Sequence, residues 1–147
     1  MKLWFIVGTA AELIKLYPRL EAATTRNVEW RILLTGQSGP NFWRQANDFG
    51  LSKNSIIELM AGQQDLKNSR AALRWFLRAI FYSKPALRRL LVARKAPAMG
   101  PTDYLVVHGD TLSTLVGTIY GRRLGLRIVH VQAGMRSHCR WSPFPEE

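Results

Sequence analysis

The chain is poor in three things. Its 147 residues include one cysteine, Cys139, and only ten Asp and Glu against 21 Lys and Arg. No apolar run approaches the length needed to cross a bilayer. The lone cysteine excludes an internal disulfide and fits a reducing compartment. The opening MKLWFIVG sets a lysine before apolar residues, but Leu3 to Val7 is too short for the core of an export signal. A cytoplasmic location is therefore expected. The chain also lacks internal repeats, low-complexity tracts and linkers, and the Pro-Ala-Met-Gly-Pro stretch at 97–101 reads as a loop. With 47% apolar and 21% charged residues, residues 1–147 read as one globular domain able to bury a core. The shortage of acids leaves a net charge of +11, which implies an anionic partner: nucleic acid, a lipid surface or a phosphorylated small molecule.

The apolar pattern alternates between two periods. Strands are predicted at 2–7, 30–34, 56–59, 104–107 and 127–131, where short β-rich runs end in small or polar residues. Helices are predicted from Ala11 onward, at 41–49, across 64–95 with a break near 83–85, and at 111–124. Pro18 predicts a kink or a restart in the first helix. This order gives an α/β fold, a Rossmann-like parallel sheet with helices on both faces. The runs YLVV and RIVHV are nearly continuous in apolar residues, as expected of strands covered on both sides.

In an open parallel sheet the carboxyl ends of the strands share one edge, and ligands bind in the crevice there. The residues following the strands are Gly8 and Thr9, with Glu12 and Lys15 beyond; Gly36 and Gln37; His108, Gly109, Asp110 and Thr111; and Gln132, Ala133, Gly134 and Arg136. Each has an ordinary explanation. Glycines after strands make tight turns, Asp110 with Thr111 can cap a helix, and His108 can be structural. Lys15 can be solvated, and Glu146 with Glu147 can form an acidic tail. Their convergence on one edge is what favours a site.

The segments GTAAELIKLYP, TGQ, VHGDTLSTL and HVQAGMRS followed by SPFPEE together resemble the non-hydrolysing UDP-N-acetylglucosamine 2-epimerases. The similarity runs from Met1 to Glu147 and is strongest after Tyr104. There a Gly-Asp-Thr motif, an Ala-Gly-x-Arg motif and a Ser-Pro-aromatic-Pro-Glu-Glu motif occur in order. The resemblance implies the N-terminal half of a GT-B arrangement, with a second, C-terminal domain absent from this chain. It implies interconversion of UDP-GlcNAc and UDP-ManNAc by expulsion and re-addition of UDP, in the service of surface-polysaccharide synthesis. Such chemistry needs carboxylates as general acid and base and cationic or dipolar groups for the leaving pyrophosphate. It needs no cofactor and no metal. Position by position, Asp110 and Glu146 match family catalytic carboxylates, and Lys15 matches a lysine at the site. Gly8, Thr9, Gln37, His108 and Arg136 fall where substrate would bind.

Four positions depart from the family pattern. Ala10-Ala11 stands for Arg-Pro, Ser38 for a histidine, and Gln132 for a catalytic glutamate. An amide matches the acid in shape but cannot take a proton at neutral pH. Because the second domain is absent, the chain alone is expected to be inactive. The alternatives are a non-catalytic or regulatory sugar-nucleotide-binding homologue and a related membrane-associated glycosyltransferase.

Arg70, Arg74 and Arg78 recur every four residues, and Leu73, Phe76, Leu77 and Ile80 line another side of the same helix. The plain expectation is an apolar face in the core and a solvated cationic face. The sharper one is a helix lying on an anionic membrane, peripheral to the inner membrane. No nucleic-acid recognition motif accompanies the charge, so no nucleic-acid partner is expected. A homodimer stays open.

Overall fold

A computed structural model of the chain describes residues 1–36, 40–60, 69–82 and 84–134. Five parallel strands form one sheet: β1 (Leu3–Val7), β2 (Trp30–Leu34), β3 (Ile56–Glu58), β4 (Tyr104–His108) and β5 (Arg127–Val131). Their spatial order is β3-β2-β1-β4-β5. Five helices connect them: α1 (Ala10–Thr25), α2 (Pro40–Asp48), α3 (Ser69–Ile80), α4 (Lys84–Ala93) and α5 (Leu112–Leu124).

Strand alternation splits the core in two. Trp4 and Ile6 of β1 face one side, with Leu33, Leu105 and Val107, under Ala79 of α3, Leu87 of α4 and Tyr120 of α5. Phe5 and Val7 face the other, with Ile32 and Leu34, under Leu13 and Leu16 of α1 and Phe42 of α2. The α/β fold with helices on both faces is thus observed.

α5 lies unusually close to the sheet. A Cβ added at Gly117 would stand 2.6 Å from Ile6 Cγ2 and 2.8 Å from Val107 Cγ1; one at Gly121 would stand 2.9 Å from Ile128 Cγ1. These two glycines, one turn apart, let the helix backbone approach the strands. At the opposite end, buried Asp103 accepts hydrogen bonds from the backbone N–H groups of Lys2 (2.8 Å) and Gly100 (3.0 Å) and from Trp4 Nε1 (3.4 Å). Burial alone would raise its carboxyl, but these bonds hold it below the ordinary aspartate range.

Three expectations need correction. α1 does not restart at Pro18; it is one helix from Ala10 to Thr25 with that residue inside it. Pro18 cannot donate to the Ile14 carbonyl, but both residues are exposed, so solvent can satisfy that carbonyl. β5 is not covered on both sides. It is an edge strand among the described residues, with Arg127, Val129 and His130 exposed. In α3, Phe76 packs against the core as expected, but Leu73 and Leu77 face outward, and Trp75 and Ala79 pack inward in their place. The reason is polar as well as apolar: Trp75 Nε1 donates to the Thr35 carbonyl at 3.1 Å and turns that side of the helix inward.

Candidate active-site rim

Because all five strands are parallel, their carboxyl ends lie along one edge, and the loops that leave them form a rim. The β1–α1 loop is organised by a capping box. Thr9 is the N-cap of α1 and its hydroxyl accepts from the Glu12 N–H at 3.2 Å. Glu12 Oε2 accepts in return from the Gly8 N–H at 2.5 Å and the Thr9 N–H at 3.3 Å. Glu12 is only 4% exposed, and its second oxygen, Oε1, is buried without a hydrogen-bond partner.

Burial pushes the Glu12 carboxyl up from its ordinary range. The Thr111 side chain, the Gly8 and Thr9 N–H groups and the Lys15 charge oppose that rise. Glu12 therefore faces the β4–α5 loop as well as its own. The sequence pattern Thr9-x-x-Glu12 is the available signal for this residue; read only as one of several polar groups near the rim, it is easily passed over.

Thr35, which follows β2, ties the rim together from below. Its N–H donates to the Val7 carbonyl at 2.9 Å, and its hydroxyl shares a 3.0 Å hydrogen bond with the Ser113 hydroxyl of α5. Nothing local in the sequence signals a contact between residues 78 positions apart. Gly36 follows with φ +81°, its α-carbon edge set against the Met60 carbonyl. Gln37 lies outside the described residues, as do Arg136 and Glu146.

After β4, Gly109 turns at φ +66° and Thr111 caps α5, its hydroxyl accepting from the Thr114 N–H at 3.3 Å. Asp110 is thereby freed from capping and stands exposed at the tip. His108 is buried, and Thr114 Oγ1 donates to its carbonyl at 2.6 Å. Burial lowers its imidazole pKa first; the charges of Lys15 and Arg19 lower it further. The imidazole is thus held neutral at physiological pH. Lys15 is exposed on α1, and its charge reaches both Glu12 and His108. β5 closes the row: the Gly109 N–H donates to the Val131 carbonyl at 2.9 Å, and His130 Nε2 lies 2.7 Å from the Gly109 carbonyl oxygen. Gln132 comes next, exposed and at φ +59°. That left-handed backbone costs a side-chain-bearing residue on the order of 1 kcal/mol and is commonest where function demands it.

The rim therefore brings Gly8, Thr9, Lys15, His108, Asp110 and Gln132 to the same edge of the sheet. It offers a lysine, a neutral imidazole, a free carboxylate and turn backbone. That set suits an anionic ligand whose reaction moves protons. Among the described residues no cluster of three His, Cys, Asp or Glu side chains could hold a metal ion.

The buried Glu12 carries a pH prediction. Its folded-state pKa is raised above 4.5, so the folded state binds this proton more tightly than the unfolded one. The stability it contributes is complete below that value and is lost as pH climbs. Glu12→Gln keeps an acceptor for Gly8 and Thr9 without the charge. Its stability relative to the wild type is expected to rise between about pH 4 and pH 8. Glu12→Ala, which strips the cap, is expected to lose about 1–2 kcal/mol throughout. Urea unfolding across that range measures both; a Gln advantage that shrinks with rising pH sinks the assignment.

Comparison with known proteins gives the family and the fold. The family model for UDP-N-acetylglucosamine 2-epimerase matches residues 21–147. The UDP-N-acetylglucosamine 2-epimerase of Methanocaldococcus jannaschii is 29% identical over 143 residues, covering 97% of this chain and 35% of that protein. A UDP-N-acetylglucosamine 2-epimerase homolog of Methanococcus maripaludis is 31% identical over 144 residues, covering 97% and 36%. The solved Methanocaldococcus jannaschii structure superposes with a TM-score of 0.65 at 27% identity, covering all of this chain and 35% of that one. The Neisseria meningitidis enzyme bound to UDP-GlcNAc superposes with a TM-score of 0.70 at 22% identity, covering all of this chain and 36% of that one, and speaks for the fold. The chain thus spans about a third of the length of the curated relatives it matches. With the family model covering most of its residues, the chain belongs to the UDP-N-acetylglucosamine 2-epimerase family.

Proposed function

We propose that this chain is the Rossmann-like N-terminal half of a two-domain GT-B protein that binds UDP-sugars, its partner half being a C-terminal domain. The reaction assigned to it is the interconversion of UDP-GlcNAc and UDP-ManNAc by elimination and re-addition of UDP. In this reading Asp110 and Glu146 exchange protons with the sugar, and Lys15 steadies the charge of the departing UDP. Gly8, Thr9, Gln37, His108 and Arg136 surround the substrate. His108, held neutral, contributes a hydrogen bond rather than a charge. The observation that supports the reading is the rim itself, where the exposed carboxylate of Asp110, the exposed Lys15 and the buried His108 belong to loops and helix starts at one edge of the sheet, beside the glycine turns at Gly36 and Gly109. A second reading, a sugar-nucleotide-binding homologue without turnover, is favoured by one feature: an amide, Gln132, stands at the strained turn where the family pattern has an acid.

The purified chain is expected to give no UDP-ManNAc from UDP-GlcNAc and to bind UDP only weakly, since it spans about a third of the length of its relatives. At high UDP concentration, NMR shifts of the amides of Gly8, Thr9, His108 and Gly109 are expected to move together. Shifts confined to another part of the molecule would refute the rim as the binding site, and product formed by the chain alone would refute the half-site reading.

A further inference from the structure

α3 has apolar residues on two sides, and only one side is used by the fold. Trp75, Phe76 and Ala79 pack inward. Leu73, Leu77 and Phe81, four residues apart, form a single outward row and are 58%, 41% and 78% exposed. Arg74 and Arg78, both exposed, run alongside this row. Phe81 does not project because its segment is loose. Arg123 Nη1 bonds the carbonyls of Ile80 and Tyr82 on either side of it, and Tyr120 Oη donates to the Ala79 carbonyl at 2.9 Å. The backbone is thus anchored on both flanks while the ring is held outward.

The charge around this row is of one sign. Residues 66–102 contain nine Lys and Arg and no Asp or Glu. The ion pairs among the described residues, Lys2 and Arg31 with Glu29, both lie outside this segment. The segment supplies no acid of its own, so an anionic surface would be complementary to it. A second copy of this chain docked through α3 would set cations against cations. A nucleic acid would meet the cations but leave the apolar row without use. An anionic bilayer surface satisfies both, with phosphates for guanidinium groups and an acyl boundary for large apolar side chains. No helix among the described residues is long and apolar enough to cross a membrane, so contact would be peripheral.

We propose that α3 rests on an anionic lipid surface, with Leu73, Leu77 and Phe81 at the boundary of headgroups and acyl chains and Arg74 and Arg78 on lipid phosphates. This goes beyond the sugar-nucleotide reading and stands independently of it, since the row lies on the outer side of a helix layer rather than on the strand-end rim.

Vesicle co-sedimentation of the full chain tests it, using phosphatidylcholine with and without phosphatidylglycerol. Binding is expected only to the anionic vesicles and to weaken in high salt. The paired change Arg74→Gln/Arg78→Gln is expected to lower the partition coefficient roughly 20- to 30-fold. Leu77→Ser/Phe81→Ser is expected to lower it about tenfold. All four side chains are exposed, and circular dichroism checks that the variants fold. No binding, or equal binding to neutral vesicles, overturns the proposal. So does anionic binding indifferent to Leu77→Ser/Phe81→Ser, which is plain polyanion adhesion. A dimer seen by sedimentation velocity and dissolved by that same pair assigns the row to a second copy instead.

Discussion

In a protein that joins this chain to a C-terminal half of the same family, Gln132→Glu is expected to raise turnover of UDP-GlcNAc by about 10²–10⁴-fold, the usual contribution of a positioned general base. Glutamine and glutamate share one shape, so the side chain should occupy the same turn after β5 at the same φ of +59°. What changes is the ability to hold a proton at the rim. The melting temperature should therefore stay nearly constant while kcat rises, a split that a purely structural role would not produce. Ala10 sets a limit on the gain. It occupies the first turn of α1, beside the capped N-terminus, where the family pattern has a cation. Adding Ala10→Arg should improve the rate further, and more in kcat than in affinity if the lost charge served the departing UDP. Two results would end this account: rapid epimerisation with Gln132 in place, or no gain when both changes are made in a protein that still binds UDP.

Gly117→Val is expected to destabilise the fold by about 3 kcal/mol or more, the upper range for overpacking a tight contact. For a chain of this size that corresponds to roughly 10 °C in Tm. The geometry leaves little room for relief. The added Cβ would meet the side chains of Ile6 and Val107 inside van der Waals distance, and both belong to central strands bonded on each side. α5 must then lift from the sheet, and it carries Ser113, Thr114 and the Thr111 cap. The Thr35–Ser113 bond and the anchorage of the His108 carbonyl by Thr114 would go with it. Loss of fold and loss of the rim are thus predicted to coincide. Gly100→Ala is the control, because a Cβ there meets nothing within 4 Å and φ is not positive. A thermal melt of Gly117→Val that matches Gly100→Ala would show that α5 has more slack than these distances allow.

How much of this was legible beforehand differs by element. Strand positions came through well, because a buried parallel strand must be a short apolar run and little else in the chain looks like one. β5 is the instructive exception. Its run RIVHV reads as buried on both faces, yet three of its five residues are exposed. Burial depends on which neighbours arrive, and a strand's own residues cannot report that. α3 failed for a related reason. Its apolar residues outnumber what one face can hold, so periodicity alone could not say whether Leu73 and Leu77 or Trp75 and Ala79 would face inward. The Trp75 bond to the Thr35 carbonyl, 40 residues away, settles the rotation. The rim shows both cases together. Small and polar residues after each strand were visible in order along the chain, but the role of Glu12 was not. It depends on burial and on the approach of Thr111 from a loop nearly a hundred residues later.

By itself the amino-acid sequence determined the strand and helix order, the parallel sheet, the position of the polar loops and the family. These follow from periodicity and from motifs that are local in the chain. Only the tertiary structure decided the burial of Glu12, the neutral state of His108, the close seat of α5 on Gly117 and Gly121, and the outward row on α3. Each of those is a property of a distance between segments far apart in sequence, and burial, pKa and steric clearance are set by that distance rather than by the residue type alone.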